Sequence, residues 1–392
     1  MKKAFVVVLI VLLSVCSVFA GDFKFLLTEV DQHPEILGGF LPTLVTIGTS
    51  YEGLSLMDGN LTQIQLTVGG GYTQRALFQD KATGKPITDD ILLYDQIQAR
   101  WNLKFLQGFG NSCMNDGDLV TVYVGYEGRY EMATDSMKVG EKRNIGGSEP
   151  QKIKTMDEWF DGNKNGNKIF PDLADDNQAF MTNFYLGAKL NLMDDQMVSN
   201  DGGMVELKFQ FAPSFLNKKA SYYSATLNAV AGTTLFELQN KKKGTNWVSL
   251  VLIDRLNLNW TDGDKVPVYA SMPVSLGRKV RGFNTNSYNT NFTIVNNLDL
   301  RIAGPEPFLD GIFPRLNLFL DMGWCAGNYL NSKVSASEGG LERFLCSTGL
   351  QIEMCFFDFI DLGFQVAYLI NGTNLRTPDN NWILGATFFL DF

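Results

Sequence analysis

Period-two alternation recurs along this chain in short segments, and it leaves few folds open. The clearest case is the last segment. Leu384, Ala386, Phe388, Leu390 and Phe392 fall on one face of an extended chain, and Gly385, Thr387, Phe389 and Asp391 fall on the other. Beyond the N-terminal residues, no segment approaches the roughly eighteen unbroken apolar residues that a spanning helix needs. Gly numbers 38 and Phe 29, which is not an ordinary soluble composition. Lipid cannot hydrogen-bond a bare backbone, so only helices and closed barrels span a membrane. With the helix excluded, the sequence predicts an all-β fold, a transmembrane antiparallel β-barrel ending on an aromatic residue.

The N-terminus predicts export. Met1-Lys2-Lys3 precedes the apolar run AFVVVLIVLLSV, and Val18-Phe19-Ala20 before Gly21 fits a cleavage site. Residues 1–20 therefore read as a signal peptide and 21–392 as the barrel domain. Leu13-Ser14-Val15-Cys16 offers a lipoprotein signal instead, but Val15 is too large for that site. The formal charge is −9, and removal of Lys2 and Lys3 with the signal makes it −11. No basic stripe offsets it, so a nucleic-acid partner is not expected. The Lys241-Lys242-Lys243 and Lys138 to Arg143 clusters sit in polar stretches and read as solvated loop tips.

Fifteen alternating segments can be marked, the first of them, Phe23 to Val30, being weak. Tight turns such as Met57-Asp58-Gly59-Asn60 separate them. The set includes Val266 to Leu276, and residues 132–179 lose the periodicity. Both termini of a single-chain barrel belong on one side, so strand number is even and long loops are extracellular. This parity asks for one hidden strand within an extracellular insertion at 132–179, giving sixteen strands. The alternative is fourteen, without the first and hidden strands and with the insertion on the periplasmic side.

One stretch, Ser275 to Gly323, organises the rest. Val280-Arg281-Gly282-Phe283 lies among Asn, Thr, Ser and Gly and predicts a loop. Phe319-Leu320-Asp321-Met322-Gly323 lies on a strand whose alternation points Asn317, Phe319, Asp321 and Gly323 away from the apolar face. A loop folded into the lumen would bring Arg281 onto Asp321. Asp299 and Glu353, on the polar faces of their strands, stand ready to share the contact.

These residues resemble the BamA-like outer-membrane assembly and transport superfamily, also called the bacterial surface antigen family. The resemblance is best in the C-terminal third, through the Val-Arg-Gly-Phe loop, the Asn297 to Ile302 strand, the Phe-x-Asp-x-Gly strand and five strands from the loop to a terminal Phe. It implies a lumenal latch between Arg281 and Asp321. It also implies a function, insertion or translocation of proteins at the outer membrane, without covalent chemistry. The partners implied are outer-membrane lipids, a client polypeptide and an accessory lipoprotein. The seam between the first strand and Trp382 to Phe392 would open to a client strand, with Gly385 weakening the pairing locally. Barrel-like alternation beginning soon after Gly21 departs from members that carry periplasmic POTRA domains and implies the barrel-only branch. A passive or gated porin-like channel and a surface adhesin using 132–179 are the alternatives.

Smaller features complete the reading. Asp161, Asn163, Asn165, Asn167 and Asp172 have the spacing of a calcium loop, with Gly166 at the sixth place, but Asp replaces the usual terminal Glu and an Asn-Gly-rich surface turn explains them as well. No other cofactor is expected. Cys325 and Cys346 flank one predicted extracellular loop and suggest a disulfide, while Cys355 reads as a wall residue. Gly69-Gly70-Gly71 lacks the Lys and Ser/Thr of a phosphate loop and reads as a bend in a strand. His33 is the sole histidine, which disfavours a Ser-His hydrolase and rules out a His-rich metal site.

Overall fold

The computed structural model describes residues 23–33, 35–36, 42–54, 56–80, 82–146, 149–160, 170, 173, 178–194, 201–240, 245–283, 287–304, 312–338, 343–356 and 360–390. The signal segment, the five calcium-loop candidates, Lys241 to Lys243 and Phe392 lie outside them.

Strands dominate. They are β1 (Phe23–Gln32), β2 (Pro42–Leu54), β3 (Thr62–Leu77), β4 (Leu92–Asn111), β5 (Asp118–Asp135), β6 (Lys142–Arg143), β7 (Gln151–Lys152), β8 (Gln178–Met193), β9 (Gly202–Ala212), β10 (Ser221–Asn240), β11 (Thr245–Lys265), β12 (Thr290–Ala303), β13 (Ile312–Tyr329), β14 (Phe344–Phe356), β15 (Ile360–Asn371) and β16 (Trp382–Leu390). All except β6 and β7 form one antiparallel sheet in sequence order, fourteen strands among the described residues. Sequential antiparallel pairing is what short turns between alternating segments favour. No ladder joins β1 to β16 among the described residues.

The expected sixteen is therefore corrected to fourteen, and by a different route from the alternative. β1 is a real strand, paired with β2 from Phe23 opposite Tyr51 onward. No strand of the large sheet lies among the described residues between β5 and β8, which pair directly. Val266 to Leu276 is not a strand. It forms two single helical turns, α2 (Val268–Ser271) and α3 (Leu276–Lys279), reached through Pro267. Proline has no N–H for a ladder, so Pro267 and Pro273 cancel what the alternating Val266, Val268 and Ala270 suggest. The insertion runs over 136–177, with β6, β7 and α1 (Met156–Trp159) inside it. Thr155 closes the start of α1 in a capping box with Glu158. With this strand set, β3, β5, β11, β13 and β15, which the longer connections follow, end at one rim, and β4, β8 and β10, which the shorter connections follow, end at the other.

The two faces differ as a membrane requires. Large apolar residues point outward with much of their surface bare, among them Val124, Leu186, Leu207, Leu318, Ile352 and Phe364. Aromatic pairs mark the outer face towards the long-connection rim: Tyr223 with Trp260 at 5.1 Å, Phe292 with Trp324 at 6.2 Å and Tyr368 with Trp382 at 5.0 Å. An apolar band edged by aromatic rings matches hydrocarbon and its interface. No helix among the described residues is long and apolar enough to cross a membrane. Inward, alternate positions are polar and buried, as in Gln96, Gln98, Asp299, Asn317, Asp321 and Gln351. The sheet curls: Phe78 and Ile91 beside β3 and β4 share one cluster with Leu345, Leu369 and Leu375 from the far end of the sheet.

Candidate functional site: a loop latched inside the sheet

That cluster exists because the 266–289 connection folds inward and fills the space between the walls. Leu276, Val280, Phe283 and Tyr288 supply its centre, each at most 1% exposed. On the opposite side Val268 packs with Leu77, Tyr94, Trp159 and Phe170, so the long insertion closes over the same segment. Tyr269 lies over the Arg129 guanidinium at 3.9 Å, and its hydroxyl meets that of Tyr222 at 3.2 Å. Burial raises the Tyr269 phenol above its ordinary range, with Arg129 opposing. Arg129 is itself held by Glu127 and Glu131, two residues either side on β5.

Arg281 sits at the turn after α3 and is the polar centre of the loop. Its Nε donates to Asp321 Oδ2 at 2.8 Å and its Nη2 to Asp321 Oδ1 at 2.6 Å. The Arg281 backbone N–H also donates to Asp321 Oδ2 at 2.8 Å. Nη2 reaches Asp299 Oδ1 at 2.6 Å and Nη1 reaches Gln351 Oε1 at 3.1 Å. The guanidinium lies 4.0 Å from the Phe319 ring centre. Burial disfavours its charge, but hydrogen bonding to Asp321 and the charges of Asp321 and Asp299 more than reverse this and hold the proton more tightly than usual. A planar fork with two carboxylates and an amide around it suits arginine and not lysine.

The wall strand β13 explains its own spacing. Phe319, Asp321 and Gly323 share the inner face. Phe319 supports the guanidinium, Asp321 binds it, and Gly323 makes room. A Cβ at Gly323 would lie 2.5 Å from Leu276 Cδ1 and 2.7 Å from Val280 Cγ2. Gly282 takes φ +91°, a conformation open to glycine, and a Cβ there would also meet Ala367 and Leu369 at 2.9 Å. Two wall residues and one from the 372–381 connection hold the loop backbone: Ser347 Oγ donates to Arg281 O at 2.6 Å, Asn297 Nδ2 to Lys279 O at 3.1 Å, and Asn374 Nδ2 to Gly282 O at 2.7 Å. Lys279 itself donates to Asn257, and burial pushes its amine down to about 8.

Of the residues singled out by sequence, Arg281, Asp321, Asp299, Gly282 and Phe283 meet in this site. Glu353 is one residue removed, accepting from Gln351 at 2.7 Å and Asn317 at 2.9 Å. Arg255, which also pairs with Asp299, was not singled out, nor were Gln351, Ser347 and Asn374. The phase of their strands could have found Arg255 and Gln351, since each shares the inner face with a polar neighbour two residues away, Asn257 and Glu353; Ser347 stands between Leu345 and Gly349 and has no such signal. Asn374 lies in a connection and carries no such signal.

Other assignments fall elsewhere. Cys325 and Cys346 are free thiols, which corrects the expected disulfide. Gly323 opposes Leu345 and Met322 opposes Cys346, so Cys325 takes the inner face and Cys346 the outer. Cys355 is a buried inner-wall residue. Gly385 opposes Gln365 in an unbroken β15–β16 ladder, and a Cβ there would sit 2.9 Å from the Gln365 amide. Gly69, Gly70 and Gly71 lie within β3, where the backbones of β2 and β4 crowd them. His33 is buried: Nε2 bonds Asp95 at 3.0 Å while Nδ1 accepts from Glu35 N–H at 3.2 Å, so both ring nitrogens are engaged.

No family model matches the chain, and no curated protein matches it. Solved structures resemble it in shape. They include BamA from Haemophilus ducreyi lacking POTRA domains 1–3, at 11% identity and TM-score 0.49, covering 88% of this chain and 62% of that one. CdiB from Escherichia coli is similar at 10% identity and TM-score 0.49, covering 89% of this chain and 53% of that one. CdiB from Acinetobacter baumannii gives 12% identity and TM-score 0.45, covering 95% of this chain and 60% of that one. The chain thus spans less than two thirds of each.

Proposed function

We propose that this chain is an outer-membrane β-barrel that assists insertion or translocation of polypeptides, with the 266–289 segment as a lumenal plug. The observation that carries this reading is the plug itself, a connection held across the interior by the Arg281–Asp321–Asp299 contacts. A passive wide pore has no use for such a closure. The edges of β1 and β16, unjoined among the described residues, support it too, because a sheet edge offers backbone groups to which a client strand can add. In this orientation the long-connection rim faces outside and the short-connection rim faces the periplasm.

The test is removal of the chain from its native cells, with surface proteins quantified by mass spectrometry, beside a charge-swap cycle of Arg281→Glu, Asp321→Arg and both. Loss of surface proteins in the deletion and in each single variant is expected. Rescue by the double variant will be partial, since a glutamate at 281 would face Asp299 in place of its 2.6 Å bridge. Unchanged surface proteins in the deletion strain would overturn the reading. The second reading, a gated channel, is favoured by the charged inner face and would then take its place.

A further inference from the structure

Beside the plug, and apart from the Arg281 contacts, a cavity of about 340 Å³ lies where three parts of the chain far apart in sequence meet. Arg75 near the end of β3, Arg278 on α3 of the plug and Arg376 in the 372–381 connection all line it, with Phe78 and Met272 between them. No acidic residue lines it among the described residues. The sequence explains why. Neither β3 nor the 266–289 segment contains Asp or Glu, and 372–381 contains only Asp379. The connection that carries Phe78 holds Asp80, Asp89 and Asp90, none of which lines the cavity.

The backbones that carry these arginines are anchored. Arg278 falls between Leu276 and Val280, both in the central apolar cluster, and Arg376 follows Leu375 of the same cluster. Asn374 Oδ1 accepts from the Arg376 backbone N–H at 2.8 Å while its amide holds Gly282 O. Arg75 stands opposite Tyr94 on the β3–β4 ladder.

Two of the three charges are weakly answered. The Arg376 guanidinium faces the Phe78 ring at 5.8 Å and has no side-chain acceptor among the described residues. The protein packed around it disfavours its charge, and no carboxylate offsets this. Arg75 reaches Asp31 at 3.5 Å and Gln96 at 3.4 Å, both longer than an ordinary hydrogen bond. Guanidinium forks gathered around one cavity match the oxygens of a phosphate, which accepts several N–H donors at once and carries the opposing charge.

We propose that this cavity binds a phosphate group through Arg75, Arg278 and Arg376, and that the bound anion ties the plug to β3 on one side and to the β15–β16 connection on the other. The cavity has room for the phosphate and part of what carries it, so free phosphate and a phosphorylated lipid headgroup present the same chemistry. The inference rests on the geometry of the plug and holds whatever the barrel moves.

The experiment uses the full-length protein in non-ionic detergent with Cys113→Ser, Cys346→Ala and Cys355→Ala, so that maleimide labelling of Cys325, 1% exposed within the central cluster, reports undocking. Equilibrium dialysis with radiolabelled inorganic phosphate gives a dissociation constant. At about ten times that concentration, labelling should slow about tenfold relative to potassium chloride of equal ionic strength, because a ligand of the docked state multiplies its population by one plus the ratio of concentration to dissociation constant. Arg376→Gln should lose about tenfold or more in phosphate affinity, Arg376→Lys should keep part of it, and Lys24→Gln, at the far end of β1, should keep all of it. If Arg376→Gln does not fold, Arg75→Gln takes its place. A second arm replaces phosphate with short-chain phosphatidic acid in the micelles; protection by the lipid alone, lost in Arg376→Gln, assigns the site to a headgroup, and protection by inorganic phosphate assigns it to the free anion. Absence of saturable binding in both arms, binding unchanged in Arg376→Gln and Arg75→Gln, or binding that leaves Cys325 labelling as fast as in chloride would overturn the proposal.

Discussion

Asp321→Ala is the perturbation whose size the geometry fixes best. Three donations converge on this carboxylate, from Arg281 Nε, Nη2 and backbone N–H. Truncating one member of a buried ion pair costs about 3 to 5 kcal/mol because the remaining charge is stranded. Here Nη2 keeps Asp299, so the lower end applies: about 3 kcal/mol, or about a hundredfold in the ratio of docked to undocked plug. Asp321→Asn keeps one acceptor but turns an N–H₂ towards the guanidinium, and about tenfold is expected. Cys325 supplies the assay, being 1% exposed on the inner wall beneath Val280 and Phe283. With Cys113→Ser, Cys346→Ala and Cys355→Ala in place, labelling of Cys325 by a water-soluble maleimide reports each undocking. Its rate should rise by those two factors. An unchanged rate, in protein that still migrates as a folded barrel before heating, would refute the argument that this carboxylate holds the plug.

Three further outcomes follow from the same geometry. Gly323→Ala forces a methyl against Leu276 and Val280, so Cys325 labelling should rise by about 1 to 3 kcal/mol worth of undocking while the β12–β13 ladder, read by infrared spectroscopy, stays intact. Docking should strengthen with pH between about 8 and the ordinary lysine value of 10.5, because the undocked Lys279 binds a proton that the docked one has lost; the gain is about 1 kcal/mol per pH unit, measured as falling bilayer conductance and abolished by Lys279→Met. All cysteines of the mature chain should react with a thiol reagent in denaturant without prior reduction, since Cys325 and Cys346 are unbridged.

How far the sequence carried this structure depends on what kind of signal each part leaves. The inner and outer faces of β13 are legible because period two is imposed by the backbone itself, so Asp321 inward and Leu318 outward needed no tertiary information. The Arg281 contact was legible because a buried guanidinium must find acids and few inward acids stood within reach. The strand count failed at Val266 to Leu276, where buried Val266, Val268 and Ala270 alternate for a different reason: they pack a plug between walls, not a strand on a sheet. Two prolines marked the difference and deserved more weight than the alternation. Tyr269 over Arg129 was out of reach, because nothing local links a residue in a connection to a strand lying far earlier in the chain.

The plug is continuous with β11 and β12, so it never leaves the molecule it closes. Undocking releases it only as far as its two tethers allow, and redocking is a first-order event that dilution cannot slow. For a short flexible tether the effective local concentration is of order millimolar. A free peptide copying 266–289 would have to reach about that level to close a plug-deleted barrel as well as the native segment does. Under the proposed function, a client that displaces the plug would compete against a fixed internal concentration, and resealing would need no second molecule.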